Sequence, residues 1–199
     1  MKTQFQKITL VFLAALLTFS ACKKDNNGDS NCGATDEFPF MATGHELTYA
    51  YDEFLGNSGT YTQTFGEQDA NGNFKITLTG DPKPLVLEGV DFFYYRACGD
   101  KFLSSLTPDS GADNWQYKAN AQVGDSWTYA IDGGGTANYK VIQTGLTVTT
   151  LAGDFPDCAK ITYNQAGTFN TDTVYWSDAI GWVRYDGFLF AYELKSKNF

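Results

Sequence analysis

Several segments of the chain alternate apolar and polar residues with the two-residue period of a strand that buries one face. Residues 69–73, 132–135 and 186–187 carry hairpin-turn chemistry, because Gly and Asn tolerate positive φ. The pattern predicts an all-β domain, folded as an antiparallel sandwich or as a curved, partly closed barrel. We predict strands near residues 46–52, 59–66, 73–79, 84–88, 90–96, 101–106, 125–131, 137–143, 146–151, 157–164, 171–176, 181–185 and 188–195.

The predicted strands fall into two similar halves, at about residues 40–108 and 120–199. Three pairs of segments match in the same order: 44–52 with 124–132, 75–77 with 160–162, and 91–95 with 172–176. Matched order with similar offsets is the pattern of an internal repeat. Chance similarity among strands rich in Thr and Tyr is the alternative.

The first 21 residues have the layout of a secretory signal. Lys2 and Lys7 precede an apolar run at 8–19, which is shorter than the ~20 residues of a permanent transmembrane helix. Residues 22–36 are mostly polar and turn-forming, and we predict a flexible tether there. A single β domain is expected to occupy residues 37–199.

The segment 17–22 resembles the lipobox of bacterial lipoproteins and ends in Cys22. The resemblance implies that Cys22 is the first mature residue and the site of lipid attachment. Phe19 departs from the aliphatic residue usual there, and simple cleavage to a soluble protein is the competing interpretation. Lys23 occupies the position where Asp signals inner-membrane retention, which favours the outer membrane, with the face left open.

The charge of the chain argues against nucleic acid as a partner. Without residues 1–21, which hold two lysines and no acidic residue, the chain has 12 basic and 23 acidic residues and a net charge of −11. Binding to nucleic acid depends on neutralising phosphates with Lys and Arg. An anionic membrane face is disfavoured for the same reason, and solubility is the simpler explanation.

Three cysteines remain after lipidation, namely Cys32, Cys98 and Cys158. An exported chain meets an oxidising compartment, so one disulfide is expected and one thiol is left over. In the two repeated halves, Cys98 lies at the end of one predicted strand and Cys158 at the start of another. If these strands were antiparallel neighbours, the two ends would meet at the same edge of the sheet, so a disulfide between Cys98 and Cys158 is favoured. Pairing of Cys32 with Cys98 is the alternative.

No catalytic, metal or cofactor site is predicted. His45 is the single histidine and aligns with Asp125 in the repeat, which indicates a turn residue. Residues 69–73 resemble the start of a calcium loop, but Gly72 stands at position four instead of six. Asp91, Asp172 and Asp178 could supply a carboxylate pair for glycoside hydrolysis, although strand-edge and turn roles are favoured.

Aromatic residues are the one feature that suggests binding, with 16 Phe, 12 Tyr and 4 Trp in the chain. Trp115, Trp127, Trp176 and Trp182 are candidates to line a groove for sugar rings or an apolar ligand. Packing within the core is the favoured alternative for aromatic pairs on strands. Trp115 falls in the polar linker between the halves and is expected to be the most exposed.

The second half resembles a loose group of uncharacterised gram-negative bacterial lipoproteins and secreted β proteins. The resemblance rests on the stretches 124–129, 152–161 and 175–185. It implies a β fold and an extracytoplasmic location, and it implies no activity.

Together these features favour a lipid-anchored, non-enzymatic domain of the cell envelope. Its expected partners are the membrane, through the lipid, and an unidentified small molecule, glycan or envelope protein. The alternatives are an extracellular hydrolase acting on glycans or lipids and a structural component of an outer-membrane complex.

Overall fold

The computed structural model describes residues 32–80, 82–108, 114–130, 136–165 and 171–199, apart from the side chains of residues 114, 129 and 130. The predicted signal peptide, the lipid site at Cys22 and nearly all of the tether lie outside these residues. Residues 31–199 form one compact unit. In the described part of the chain, no helix combines the length and apolar character needed to cross a membrane.

The described chain consists almost entirely of β-strands. Their bounds are β1 Glu46–Glu53, β2 Ser58–Gln68, β3 Asn73–Thr79, β4 Phe92–Cys98, β5 Lys101–Ser105, β6 Asn114–Lys118, β7 Ser126–Ala130, β8 Thr136–Thr150, β9 Gly153–Gln165, β10 Asp172–Ser177, β11 Gly181–Asp186 and β12 Phe190–Lys197. One 3₁₀ turn, Leu85–Leu87, lies between β3 and β4. The all-β fold class predicted from the alternation is confirmed.

All twelve strands belong to one antiparallel sheet with the order β6-β5-β4-β3-β2-β1-β12-β11-β10-β9-β8-β7. Each half of the chain is thus a six-stranded meander, and the halves join where β1 pairs with β12. The sheet curves into a nearly closed barrel with β6 and β7 as its edges. Of the two predicted architectures, the structure is the barrel and not the sandwich.

Aromatic packing bridges the gap between the two edge strands. The ring of Trp115 on β6 stacks on the ring of Trp127 on β7, with centroids 5.5 Å apart. The indole N–H of Trp127 donates to the carbonyl oxygen of Trp115 at 3.1 Å. These contacts cover strand edges that would otherwise be open to pairing with another chain.

Three of the predicted elements need correction. The strand predicted at 84–88 is a 3₁₀ turn, because Pro82 and Pro84 lack the N–H groups that a strand ladder uses. The predicted pair 137–143 and 146–151 is the single strand β8, which is bulged around Gly145. The predicted linker contains β6, so Trp115 is half-buried in a strand rather than exposed in a loop.

One end of the barrel is plugged by the segment that precedes β1. Phe38, Phe40 and Met41 insert into the barrel and are almost completely buried. Both phenylalanine rings contact Trp176, with centroids 6.3 and 5.8 Å from it. Gly181 has a φ of +87°, and an added Cβ would come within 2.9 Å of the Phe40 ring. The plug therefore closes this end of the barrel with aromatic packing.

A disulfide between Cys32 and Cys98 fastens the plug segment to the end of β4. The N–H of Gly33 donates to the carbonyl oxygen of Ala97 at 2.7 Å and continues the pairing. Gly33 crosses so close to the β2–β3 turn that a Cβ on Gly72 would lie 2.6 Å from the Cα of Gly33. Covalent, hydrogen-bonded and steric constraints thus fix the start of the domain.

The favoured pairing of Cys98 with Cys158 is therefore wrong. β4 and β9 are not neighbours in the sheet, so the ends that carry these cysteines do not share an edge. Cys158 is a free, fully buried thiol in the core. Burial raises the pKa of the Cys158 thiol to about 11, which keeps it protonated and unreactive at neutral pH.

The matched segments of the two halves lie on corresponding strands of the two meanders. The segment 44–52 contains most of β1 and 124–132 contains β7; the other two pairs fall on β3 with β9 and on β4 with β10. The internal repeat itself stays a prediction from the sequence.

Replacing both Cys32 and Cys98 by Ser is expected to lower the free energy of unfolding by about 2–4 kcal/mol, because the bond closes a long loop. Urea denaturation measures the loss. Non-reducing peptide mapping should join the peptides that contain these two cysteines and find Cys158 as a free thiol. Recovery of Cys158 in a disulfide would contradict the assignment.

Candidate functional site: an aromatic cavity in the barrel

A cavity of about 410 Å³ occupies the interior of the barrel at the end away from the plug. The strands β1, β3 and β5 end here, and β4 and β12 begin here. Rings, aliphatic chains, amides and hydroxyls line it. The lining residues are Tyr49, Tyr51, Tyr61, Gln63, Pro84, Val86, Leu87, Val90, Phe93, Tyr95, Ser104, Ser105, Leu106, Gln116, Trp182, Phe190 and Tyr192.

Strand alternation places the rings inside. Tyr49 and Tyr51 are two residues apart on β1, so both point to the same face. Tyr49 is directly opposite Tyr61 in the antiparallel register of β1 and β2. Their rings stack with centroids 5.2 Å apart, and Tyr192 from β12 packs edge-on against Tyr49. Three neighbouring strands thus build one continuous aromatic wall.

Most hydroxyls of the tyrosines that line the cavity are bonded to protein atoms. Tyr49 donates to the carbonyl oxygen of Trp182, and Tyr51 donates to that of Pro82, both at 3.0 Å. The amide oxygen of Gln116, which also lines the cavity, accepts a hydrogen bond at 3.1 Å from Tyr139 outside the lining. A buried phenol with a hydrogen-bond partner costs little free energy, so these hydroxyls do not need a ligand as their partner.

The floor of the cavity carries a polar group at Gln63. Its side chain is buried, and its amide oxygen accepts a hydrogen bond from the hydroxyl of Tyr95 at 3.4 Å. Burial raises the pKa of Tyr95, and that of Tyr61, well above the ordinary value for a phenol. Phenols are neutral at pH 7 even at their ordinary pKa, and the described lining residues are all of uncharged types.

The loop between β3 and β4 folds over the cavity as a lid, which we define as residues 82–91. Leu87 and Val90 pack their side chains against the core. The N–H of Leu85 donates to one carboxylate oxygen of Glu53 at 2.7 Å, and Asn57 donates to the other oxygen at 2.7 Å. Glu53 is only 7% exposed, so it joins the lid to the β1–β2 hairpin from a buried position.

A second hairpin is tied to the same end of the barrel. The rings of Phe54 and Phe188 stack with centroids 6.0 Å apart, and the N–H of Phe54 donates to the carbonyl oxygen of Leu189 at 2.9 Å. Asp172 accepts a hydrogen bond from the N–H of Phe188 at 3.1 Å. The two hairpins and the lid thus form one connected surface beside the cavity.

Exposed apolar side chains surround the cavity mouth, and we call this set the apolar rim. Phe54 is 74% exposed and Leu55 80% exposed, although both are large and apolar. Val86 and Leu106 line the cavity and are still more than half exposed, which marks them as its entrance. The rim consists of Phe54, Leu55, Leu85, Val86, Leu106, Phe188 and Leu189.

The four tryptophans predicted to line a groove have separate positions. Trp182 lines the cavity. Trp176 is fully buried against the plug, and Trp127 is buried beside Trp115 at the gap between the sheet edges. The packing alternative thus describes Trp176 and Trp127, whereas the binding hypothesis stays open for Trp182.

The three candidate carboxylates and the histidine each have a separate partner within the protein. Asp91 forms a salt bridge with Lys83 within the lid at 2.8 Å. Asp178 accepts the N–H of Asn120 at 3.0 Å near the plugged end, and burial raises the pKa of its carboxyl. His45 bonds the carbonyl oxygen of Phe40 at 3.0 Å.

The stretch that resembles a calcium loop forms the β2–β3 turn instead. The carboxylate of Asp69 accepts the N–H groups of Asn71 and Asn73 at 2.8 and 2.9 Å. Among the residues that the structure describes, no three His, Cys, Asp or Glu side chains are grouped so that they could hold a metal ion.

The cavity tyrosines were not predicted as a site. The sequence signal was present in Tyr49-Ala50-Tyr51, where the alternation puts two rings on one face. That pattern is equally typical of a packed core, and only the curvature of the sheet shows that these rings face an open space.

No protein-family model matches the chain, and no curated protein matches its sequence. The fold is similar to that of a protein from Bacteroides fragilis, which is described as exported and as having a YmcC-like fold. The TM-score is 0.51 and the sequence identity is 14%, and the match covers 81% of this chain and 98% of that one. A protein from Parabacteroides distasonis assigned as a lipoprotein gives a TM-score of 0.44 and 12% identity over the same shares. The likeness to the Bacteroides fragilis protein shows a shared fold.

Replacing Glu53 by Ala is expected to free the lid, because the N–H of Leu85 loses a charged acceptor. Hydrogen exchange followed by mass spectrometry should show faster exchange in the peptide that covers residues 82–91. The variant Asp52→Ala, on the exposed face of the same strand, serves as the control. Unchanged exchange in the lid of the Glu53 variant would show that other contacts hold the lid.

Proposed function

We propose that this protein is a lipid-anchored binding domain of the cell envelope that holds a small molecule inside its barrel. The observation that carries the proposal is the cavity, which is aromatic, plugged at its far end and open at its mouth. Its volume of about 410 Å³ falls in the ~300–1,000 Å³ range of small-molecule sites. Burial against rings, with a few polar groups to orient the ligand, is the usual chemistry of such sites.

The lining supports binding over the hydrolase alternative. Its rings and aliphatic chains contribute burial of apolar area, and its amides contribute hydrogen bonds. None of the three carboxylates considered for catalysis lines the cavity: Asp91 is paired with Lys83, Asp172 accepts a hydrogen bond from Phe188, and Asp178 is bonded near the plug. The cavity therefore favours holding a molecule unchanged.

Two further observations support an envelope location and an anchor at Cys22. The disulfide between Cys32 and Cys98 is typical of oxidising compartments outside the cytoplasm. The charged, apolar and small-residue segments before Cys22 have the layout of an export signal. Cys32, the first residue that the structure describes, lies at the plugged end of the barrel and away from the cavity mouth.

Binding of N-phenyl-1-naphthylamine, a neutral aromatic dye whose fluorescence rises in apolar sites, tests this function. Residues 31–199 are compact by themselves, so the chain from residue 23, exported behind a cleavable signal, keeps the contacts described here. We expect saturable binding of one dye per chain. Ser104→Trp should weaken binding at least tenfold, because the half-buried Ser104 lines the cavity and the indole would fill it.

The matched control is Thr77→Trp, which adds the same indole at an exposed position on β3 and should leave binding unchanged. Val86→Asp, at the half-exposed entrance, is a second variant that should weaken binding without altering the core. Wild-type affinity in both cavity variants, with folding verified by circular dichroism, would place the dye outside the cavity and overturn the proposal.

A further inference from the structure

We infer that the ligand is an uncharged molecule with one polar end and an apolar body, held with the polar end at Gln63. This inference rests on the proposed function and adds the chemical class of the ligand. Three features of the cavity carry it: the position of Gln63, the neutrality of the lining and the apolar rim.

Of the residues of β2 that line the cavity, Gln63 is the one nearest the plug. It pairs with Leu47 in the register of β1 and β2, one inward position deeper than the Tyr49–Tyr61 pair. The next inward residue on β2 is Phe65, whose ring contacts Phe40 of the plug at 6.1 Å. Gln63 is four positions along the strand from Gly59 near the mouth, a distance of roughly 13 Å.

The amide of Gln63 has hydrogen-bonding capacity for a ligand. A glutamine amide offers two donors and two acceptor lone pairs. One lone pair accepts from Tyr95, and the hydroxyl of Tyr61 is a second hydrogen-bond partner of the amide. The remaining capacity faces a cavity whose other walls are mostly rings and aliphatic chains. A single polar group of a ligand is therefore best placed at this floor.

The lining selects against a charged ligand. Every described side chain that lines the cavity is of an uncharged type at neutral pH, since the lining consists of Tyr, Trp, Phe, Gln, Ser and aliphatic residues. An ion that enters such a site loses its hydration and gains no counter-ion, which is strongly unfavourable. A hydroxyl, amide or ester group suffers no such penalty when it bonds Gln63.

The apolar rim extends the preference for an apolar ligand body beyond the cavity mouth. With the polar end on the floor, the body of the ligand runs past the aromatic wall toward Val86 and Leu106 at the entrance. Exposed Phe54, Leu55 and Phe188 then continue the apolar surface outside the cavity. A ligand with its polar end at the mouth and its apolar end on Gln63 would leave both surfaces mismatched.

Competition against bound N-phenyl-1-naphthylamine tests this class with decan-1-ol and decanoate, which share a chain and differ in charge. We expect decan-1-ol to displace the dye at a concentration at least tenfold lower than decanoate at neutral pH. Gln63→Leu should weaken the binding of decan-1-ol three- to tenfold, which is the effect of losing one hydrogen bond. Gln143→Leu, the same change at an exposed site on β8, should have no effect.

The outcomes separate this inference from the proposed function. If the dye binds in the cavity but decanoate competes as well as decan-1-ol, the ligand class is wrong and the binding function stands. Equal affinity of decan-1-ol for the wild type and for Gln63→Leu would overturn the role of Gln63. Failure of the dye to bind the wild type would remove the proposed function itself.

Discussion

The pairing of β1 with β12 is the contact on which the rest of the structure depends. It joins the first and last strands along most of their length, from Leu47 opposite Lys197 to Glu53 opposite Phe190. Without this pair the two meanders would be separate open sheets, each with an exposed apolar face. With it, the sheet curves on itself, and every inward position of one half faces an inward position of the other.

Closure alone does not determine whether a barrel is filled or hollow. Here the two ends differ, because the segment before β1 supplies Phe38, Phe40 and Met41 to one end only. At the other end, Tyr49, Tyr61 and Tyr192 stand against the wall and leave the centre open. The plug thus acts as the floor beneath Gln63, and packing at one end produces a binding space at the other.

The sequence predicts the strands well where alternation is long and turns are marked by Gly or Asn, as in β1 to β3. It fails where backbone chemistry or short length dominates. Pro82 and Pro84 turn an apolar run into a 3₁₀ turn, and β6 has only five residues beside a polar stretch. The disulfide was mispaired because strand neighbours, and not strand similarity, determine which cysteines meet.

The candidate site was beyond sequence reasoning for a related reason. The alternation of apolar and polar residues indicates which residues share a face of the sheet. The curvature of the sheet determines whether that face packs against other side chains or lines an open cavity. Tyr49 and Trp176 both look like core residues in sequence and both are fully buried, yet Trp176 packs against the plug and Tyr49 borders the cavity. Glu53 is another example, since its role in holding the lid depends on a contact with Leu85.

The most direct test of the account is a crystal structure of the chain from residue 23 in complex with N-phenyl-1-naphthylamine. The account predicts density for the dye between Tyr49, Tyr61 and Trp182, above Gln63, with the plug unchanged. Density for the dye only on the outer face of the barrel, or on the apolar rim beside an empty cavity, would contradict it.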